Sequence, residues 1–179
     1  MVDAFLEAGF NYFDTAHPYI KGKSELAIRE CLPSRYPRDR YLLANKLSGG
    51  CIEKEADILP FFQIQLDACG VEYFDFYLLH AVNKDSWSQK VIPFGILDKM
   101  KKAKAEGKIR HIGFSFHDDL PTFKKVVDEF EDCEFCQIQF SYIYTYYQAG
   151  IEGLQYAAER DLGIVIMEPL QGGALANPA

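Results

Sequence analysis

Phe76-Tyr77-Leu78-Leu79 and Gly163-Ile164-Val165-Ile166-Met167 are the two stretches of sequence that decide the fold class of this chain. Neither contains a charged residue, and neither alternates between apolar and polar positions. A strand with one face in water alternates, whereas a strand covered on both faces stays apolar throughout, as in parallel sheets. The two stretches therefore predict strands of a parallel sheet with both of its faces covered.

Similar strand-like runs recur along the chain about every thirty residues, which is the length of a strand plus a covering helix. Between the runs, apolar residues at helical spacing indicate helices, as with Ile96, Met100 and Ala103 ahead of the helix-stopping Gly107. This alternation predicts an α/β chain of parallel type. The six runs begin near Asn11, Tyr41, Tyr73, Ile109, Phe135 and Gly163.

Two architectures share this alternation, the doubly wound sheet and the (β/α)8 TIM barrel. A doubly wound sheet that binds a dinucleotide would carry a glycine-rich turn after its first strand, and this chain has none there. Gly49-Gly50 and Gly172-Gly173 are isolated pairs, too short for such a fingerprint. We therefore expect a barrel, formed by residues 1–179 as a single domain.

Composition narrows the possible partners. The chain has 179 residues, of which 49% are hydrophobic, enough to bury the core of one domain. Its net charge of -7 argues against nucleic acid as a partner.

No stretch approaches the roughly twenty apolar residues of a membrane span, and Asp3 and Glu7 interrupt any signal-peptide pattern. The five scattered cysteines are most simply reduced thiols, so we expect a cytoplasmic protein without membrane contact.

Four chemically active side chains fall where predicted strands give way to loops: Asp14, Tyr19, Lys46 and His80. In a parallel barrel, the C-terminal strand ends converge on one shared site. A phenol is a poor proton donor at neutral pH unless a neighbouring charge, such as an ammonium, favours the phenolate. A carboxylate keeps a buried ammonium charged, and an imidazole can donate to a carbonyl oxygen. Together, the four residues predict a proton-transfer site.

Several motifs around these residues resemble the signature of the aldo-keto reductase family. They occur in the family's order over essentially the whole chain, and their joint presence is highly specific. The motifs are Asn11-Tyr12-Phe13-Asp14-Thr15-Ala16 with Tyr19, Gly22-Lys23-Ser24-Glu25, Leu43-Ala44-Asn45-Lys46, Phe76-Tyr77-Leu78-Leu79-His80 and Gly107-Lys108-Ile109-Arg110-His111-Ile112-Gly113-Phe114-Ser115.

The resemblance implies a barrel enzyme that reduces small-molecule aldehydes and ketones with NADPH (NADP as the oxidised cofactor) or, less often, NADH. By position in the motifs, Tyr19 is the proton donor and His80 orients the carbonyl group. Lys46 and Asp14 are the pair that activates Tyr19.

The resemblance also implies a set of cofactor-binding residues. Ser115 and Gln137 fall where the family holds the nicotinamide carboxamide. The remaining residues assigned to the cofactor lie at the end of the last predicted strand and in the loop after it, and they are Met167, Pro169, Leu170 and Gly172.

Two departures from the common family pattern point to one of its branches. The residue after Ser115 is commonly Asn in the family, but here it is Phe116. The family's seventh barrel strand, which is the last predicted strand of this chain, commonly supplies an aromatic residue where this chain has Met167. In both departures the chain resembles the bacterial branch that carries a ferredoxin-like iron–sulfur segment after the barrel.

Matched to the family, the six predicted strands correspond to barrel strands two to seven. We therefore expect an incomplete barrel that lacks the first and eighth strands.

Other sequence features have simple structural interpretations that compete with a functional interpretation. Cys133 and Cys136 have the spacing of zinc and redox sites, but without a second pair a structural role is favoured, and we predict no metal site. His111 and His117 bracket the predicted fifth barrel strand and are expected to be solvated, with His117 near the site. A tyrosine cluster after the sixth barrel strand could line the rim of the site or serve packing; its members are Tyr142, Tyr144, Tyr146 and Tyr147.

Two rival functions stand beside the reductase. One is a truncated or regulatory relative that keeps the four residues but binds cofactor poorly. The other is an interaction module that pairs through the open edges of its sheet, because exposed apolar edges recruit further strands. The second rival predicts self-association.

Overall fold

The computed structural model describes residues 1–176, which contain one six-stranded parallel sheet with the strands in sequence order. Each strand pairs with the next strand along the chain, and helical segments connect them. This confirms the predicted α/β architecture of parallel type. The strands are β1 (Tyr12–Asp14), β2 (Leu42–Ser48), β3 (Phe74–Val82), β4 (Ile109–Phe116), β5 (Phe135–Gln139) and β6 (Gly163–Met167).

The helices begin and end at residues that suit those positions. Asp119 caps one helix by accepting a hydrogen bond from the Thr122 amide at 2.9 Å. Gly70 ends another in the left-handed conformation, at φ 69°. None of the helices among residues 1–176 is long and apolar enough to cross a membrane. The helices are α1 (Val2–Glu7), α2 (Ser24–Cys31), α3 (Ile58–Cys69), α4 (Lys84–Ser86) with the π-helical turn Trp87–Val91, α5 (Ile96–Ala105), α6 (Leu120–Glu129) and α7 (Gly150–Ala158).

The two faces of β3 pack into two different apolar clusters. Tyr77 and Leu79 point outward into the main core, which the helices share. Leu78 points to the other face, where it packs in a smaller cluster with Ala44 of β2 and Phe135 of β5. Both faces of the strand are therefore covered, which explains its uninterrupted apolar sequence.

The sheet is curled rather than flat. The Nε2 atom of Gln137 on β5 donates a hydrogen bond to Asp14 at the end of β1, at 3.4 Å. These strands are four places apart, so in a flat sheet they would be separated by about 19 Å. The curl encloses an interior into which side chains of β1 to β5 point.

Close packing of two strands depends on a glycine. A Cβ atom at Gly113 on β4 would lie 2.3 Å from the Phe135 carbonyl oxygen and 2.7 Å from its ring. The Phe135 ring instead fills this space and contacts Phe76 edge-to-face, with centroids 5.2 Å apart. The interior is thus filled by aromatic rings below the level of the strand ends.

The curled sheet has two open edges. Within the described part of the chain, β1 pairs only with β2, and β6 pairs only with β5. The apolar residues of β6 from Ile164 to Met167 are only half-buried. Six strands in this arrangement form part of a barrel wall and leave a gap between β6 and β1.

Candidate active site

The four predicted site residues lie together at the C-terminal end of the sheet. Asp14 is the last residue of β1, and Tyr19 lies in the loop that follows. Lys46 and His80 were expected to end their strands, but β2 and β3 each continue for two more residues. The extension has a physical reason, because Ser48 and His80 remain paired in the parallel register.

The ammonium group of Lys46 organises the site. Lys46 is 1% exposed, and its Nζ atom forms an ion pair with Asp14. The same atom donates to the Thr15 carbonyl oxygen at 3.1 Å and to the Tyr19 hydroxyl at 3.2 Å. A buried ammonium requires this kind of pairing, and three partners satisfy its three donors.

The loop after β1 holds Tyr19 over Lys46. The Tyr19 amide donates to the Ala16 carbonyl oxygen at 3.0 Å, and Thr15 and Ser24 join the two ends of the loop through their hydroxyls at 2.7 Å. The Lys46 ammonium lies 4.8 Å from the centroid of the Tyr19 ring. Tyr19 is 38% exposed, so its side chain is open to solvent on one side while its hydroxyl contacts a buried charge.

His80 completes the group from β3. Its ring contacts that of Tyr19 edge-to-face, with centroids 5.7 Å apart. Its Nδ1 atom is hydrogen-bonded to the Ser48 hydroxyl at 2.7 Å. Burial, together with the nearby charges of Lys46 and His117, lowers the pKa of His80 to about 4. The imidazole is therefore neutral at pH 7 and carries one N–H group.

A buried polar network supports Lys46 from behind. Gln65 on α3 donates to the Lys46 carbonyl oxygen at 3.0 Å, and the Asn45 side chain accepts from the Lys46 amide at 2.8 Å. Glu25 on α2 is 1% exposed and accepts from both Asn45, at 2.9 Å, and Gln65, at 3.1 Å. The backbone of Lys46 is thus fixed by side chains of α2, α3 and its own strand.

The predicted carboxamide-binding residues are neighbours. Ser115 and Gln137 are register partners on β4 and β5. Both are buried, and the Gln137 Oε1 atom has no hydrogen-bond partner among residues 1–176. The Ser115 hydroxyl accepts from the Ala81 amide at 2.8 Å, which holds the end of β3 against β4.

The other predicted cofactor residues lie at the same end of the sheet. Met167 is the last residue of β6 and is half-buried. Pro169, Leu170 and Gly172 follow in the next loop, where Leu170 is 46% exposed and Gly172 has φ 62°. The side chains of these residues make no hydrogen bond to the four central residues within the described chain.

A cavity of about 670 Å³ opens beside His80. It lies between the loop after β2 and the loop after β3, and it is large enough for a small organic molecule. The Lys90 ammonium at its wall is occupied by the carbonyl oxygens of Gly49, at 2.6 Å, and Ile52, at 2.9 Å. The residues that line it include Pro18, Ser48, Cys51, His80, Asn83 and Gln89.

The remaining sequence candidates lie outside this group. Cys133 and Cys136 are buried free thiols, and burial raises the pKa of Cys136 to about 12. His111 is exposed, stacks on Phe76 and pairs with Glu134, whereas His117 lies at the end of β4 on the side of the site. The four tyrosines of the rim loop are all more than half exposed.

Sequence reasoning missed Ser48, Glu25 and Gln65. Ser48 was recognisable in principle, because it lies two residues after Lys46 and so shares its face of the strand. Glu25 and Gln65 approach from two helices far away in sequence, so no local pattern signals their contact with Asn45.

Comparisons with known proteins agree with the observed fold. The sequence profile described as Aldo/keto reductase family matches residues 1–178. An aldo-keto reductase from Klebsiella pneumoniae, solved in complex with NADPH, superimposes with a TM-score of 0.74 at 25% identity. That match covers 98% of this chain and 58% of the Klebsiella chain. The aldo-keto reductase AKR11C1 from Bacillus halodurans gives a TM-score of 0.77 at 22% identity over 99% of this chain and 59% of its own, and it shares the fold.

Curated relatives match over shorter stretches. A probable aryl-alcohol dehydrogenase of Saccharomyces cerevisiae is 45% identical over 49 residues, which are 27% of this chain and 15% of the yeast protein. Norsolorinic acid reductase B of Dothistroma septosporum is 40% identical over 57 residues, or 32% of this chain and 14% of that protein. The chain thus spans little more than half the length of these solved structures. Its six-stranded curled sheet confirms the expected incomplete barrel. Because the family profile matches residues 1–178, the chain belongs to the aldo/keto reductase family.

Proposed function

We propose that this site reduces the carbonyl group of a small aldehyde or ketone to an alcohol, with Tyr19 as the proton donor. The observation that carries the proposal is the contact of the buried Lys46 ammonium with the Tyr19 hydroxyl at 3.2 Å. Family membership supports it, because the relatives with curated names include an aryl-alcohol dehydrogenase and a norsolorinic acid reductase.

Proton donation by Tyr19 follows from the charges around it. As the phenol gives its proton to the substrate oxygen, negative charge develops on the Tyr19 oxygen. The Lys46 ammonium, which is itself buried, stabilises that charge at close range. Asp14 keeps the buried ammonium charged through its ion pair. Each of the three residues therefore has one role in the transfer of a single proton.

His80 supplies the second polar contact to the substrate. A neutral imidazole can donate one hydrogen bond without competing with Tyr19 to transfer a proton. Its ring contacts the Tyr19 ring and also lines the cavity of about 670 Å³. A carbonyl oxygen between the phenol and the imidazole would be held by two donors, with the rest of the substrate in the cavity.

A reduced nicotinamide cofactor, NADPH in preference to NADH, is the proposed hydride source; when bound, it supplies the hydride that the carbonyl carbon accepts. The residues present fit it, because the buried Gln137 Oε1 atom lacks a partner and could accept from a carboxamide. Ser115, adjacent in register, is the second proposed carboxamide contact. Solved relatives with bound NADPH or NADP support the choice. The residues proposed for the rest of the cofactor are Met167, Pro169, Leu170 and Gly172.

The cysteines favour a cytoplasmic location. All five are free thiols, which suits a reducing compartment such as the cytoplasm.

The open edges at β1 and β6 favour a second candidate function, which is pairing with further polypeptide. In a preparation of these 179 residues alone, the available polypeptide is a second copy of the chain.

Replacing Tyr19 by Phe removes the proton donor and keeps the ring. We expect the Tyr19→Phe variant to reduce an aldehyde roughly 10²–10⁴-fold more slowly, in single-turnover oxidation of NADPH. NADPH binding, followed by its fluorescence, should be nearly unchanged. Tyr36→Phe, which alters only a distant tyrosine that contacts Asp3, is the control. An unchanged rate in Tyr19→Phe would remove Tyr19 from the mechanism, and absence of NADPH binding in the parent chain would favour a non-catalytic relative.

The low pKa of His80 predicts a loss of stability in acid. The unfolded chain binds a proton at this residue below about pH 6.5, whereas the folded chain does so only near pH 4. The contribution of the neutral His80 to the free energy of unfolding is therefore fully present above about pH 6.5 and is lost as the pH falls to about 4. The expected loss is about 2 kcal/mol after allowance for solvent screening. Urea unfolding of the parent and of His80→Gln should show a smaller loss in the variant. Equal losses in the parent and in His80→Gln would mean that His80 is not held neutral. The control is His111→Gln, which replaces an exposed histidine.

The open edges predict self-association of the isolated chain. Because the apolar residues of β6 are half-buried and its outer edge is unpaired within residues 1–176, copies of the chain should associate or exchange elements. Size-exclusion chromatography with light scattering should give a mass above that of the monomer. A sharp monomer with a cooperative thermal transition would contradict this expectation.

A further inference from the structure

Ser48 is a buried residue at the wall of the cavity, and its hydroxyl contacts the four central residues through His80. It is 5% exposed and is the last residue of β2, directly opposite His80 in the register with β3. Its Oγ atom lies 2.7 Å from the His80 Nδ1 atom. Lys46, two residues earlier, points to the same side of the strand, so β2 supplies both the ammonium and this hydroxyl to the site.

The hydrogen bond between Ser48 and His80 can run in either direction. If Ser48 donates to Nδ1, the single proton of the neutral ring resides on Nε2. If the ring donates from Nδ1, then Nε2 is an acceptor and cannot bind a carbonyl oxygen. Among residues 1–176, Nδ1 of His80 is the one hydrogen-bond partner of the Ser48 hydroxyl in the structure. The hydroxyl proton thus has its acceptor in the ring, which favours the first arrangement.

We propose that Ser48 is a positioning residue, which donates its hydroxyl proton to His80 Nδ1 and so holds the ring proton on Nε2 for donation to the substrate carbonyl oxygen. This inference rests on the proposed function, because it specifies how His80 contacts the carbonyl group. The nitrogen that a neighbour leaves protonated decides whether a histidine can act as a donor. In this role, Ser48 acts on the carbonyl oxygen through the imidazole.

The tautomer can be measured without turnover. The chain has four histidines, so ¹⁵N-histidine labelling and long-range ¹H–¹⁵N spectra near neutral pH can assign the protonated nitrogen of each ring. We expect His80, identified by His80→Gln, to be an Nε2–H tautomer with an Nδ1 signal typical of a hydrogen-bond acceptor. In Ser48→Ala, that signal should shift to the value of an Nδ1 atom without a donor. An Nδ1–H tautomer in the parent chain, or an unchanged signal in Ser48→Ala, would overturn the proposal.

Rates provide a separate test. Ser48→Ala should lower the single-turnover rate of aldehyde reduction about 10-fold, less than the 10²–10³-fold that complete loss of such a donor costs. NADPH affinity should be unchanged, and Ser48→Thr, which keeps the hydroxyl, should restore both the tautomer signal and most of the rate. Ser34→Ala, at an exposed serine bonded to the Glu30 carbonyl oxygen, is the control. A Ser48→Thr variant as slow as Ser48→Ala, or a Ser48→Ala variant at the parent rate, would contradict the positioning role.

The two tests fail differently. If the parent chain reduces no aldehyde, the proposed function fails, and the NMR spectra still decide which atom of His80 carries the proton. If the parent chain is active but His80 is the Nδ1–H tautomer, the reductase stands and the role of Ser48 is wrong. Should Ser48→Ala not fold, the tautomer in the parent chain and in Ser48→Thr decides the question.

Discussion

The ion pair between Lys46 and Asp14 is the interaction on which this site depends. A buried ammonium is costly unless it is paired and fully hydrogen-bonded, and here Asp14, Thr15 and Tyr19 provide the partners. These partners come from the end of β1 and the loop that follows. The need to satisfy one charge therefore joins β2 to β1 and fixes the loop that carries the phenol.

The parallel curled sheet makes this convergence possible. All C-terminal strand ends lie on one side, so β1, β2 and β3 deliver a carboxylate, an ammonium and an imidazole to neighbouring positions. The curl brings Gln137 of β5 back to Asp14 of β1 across the interior. Aromatic packing in that interior, between Phe76 and Phe135, keeps these polar groups at the open end of the sheet.

Much of this arrangement could be predicted from sequence, because it depends on local patterns. Apolar runs such as Phe76–Leu79 identify strands covered on both faces, and chemically active residues near strand ends identify the site. The strand ends were less predictable: β2 and β3 run two residues past Lys46 and His80, since pairing in the sheet, rather than apolarity, decides where a strand stops. Contacts made across the fold, such as Glu25 with Asn45, have no local pattern at all.

A double-mutant cycle tests most directly whether Lys46 acts through Tyr19. Lys46→Met alone should slow single-turnover aldehyde reduction roughly 10²–10⁴-fold, with Lys102→Met, on the exposed side of α5, as the control. In the Tyr19→Phe background, Lys46→Met should cause little further loss, because residues that act as one unit are not additive. If the rate losses of the two single variants multiply in the double variant, the ammonium acts independently of the phenol. That result would contradict the proposed activation of Tyr19 by Lys46.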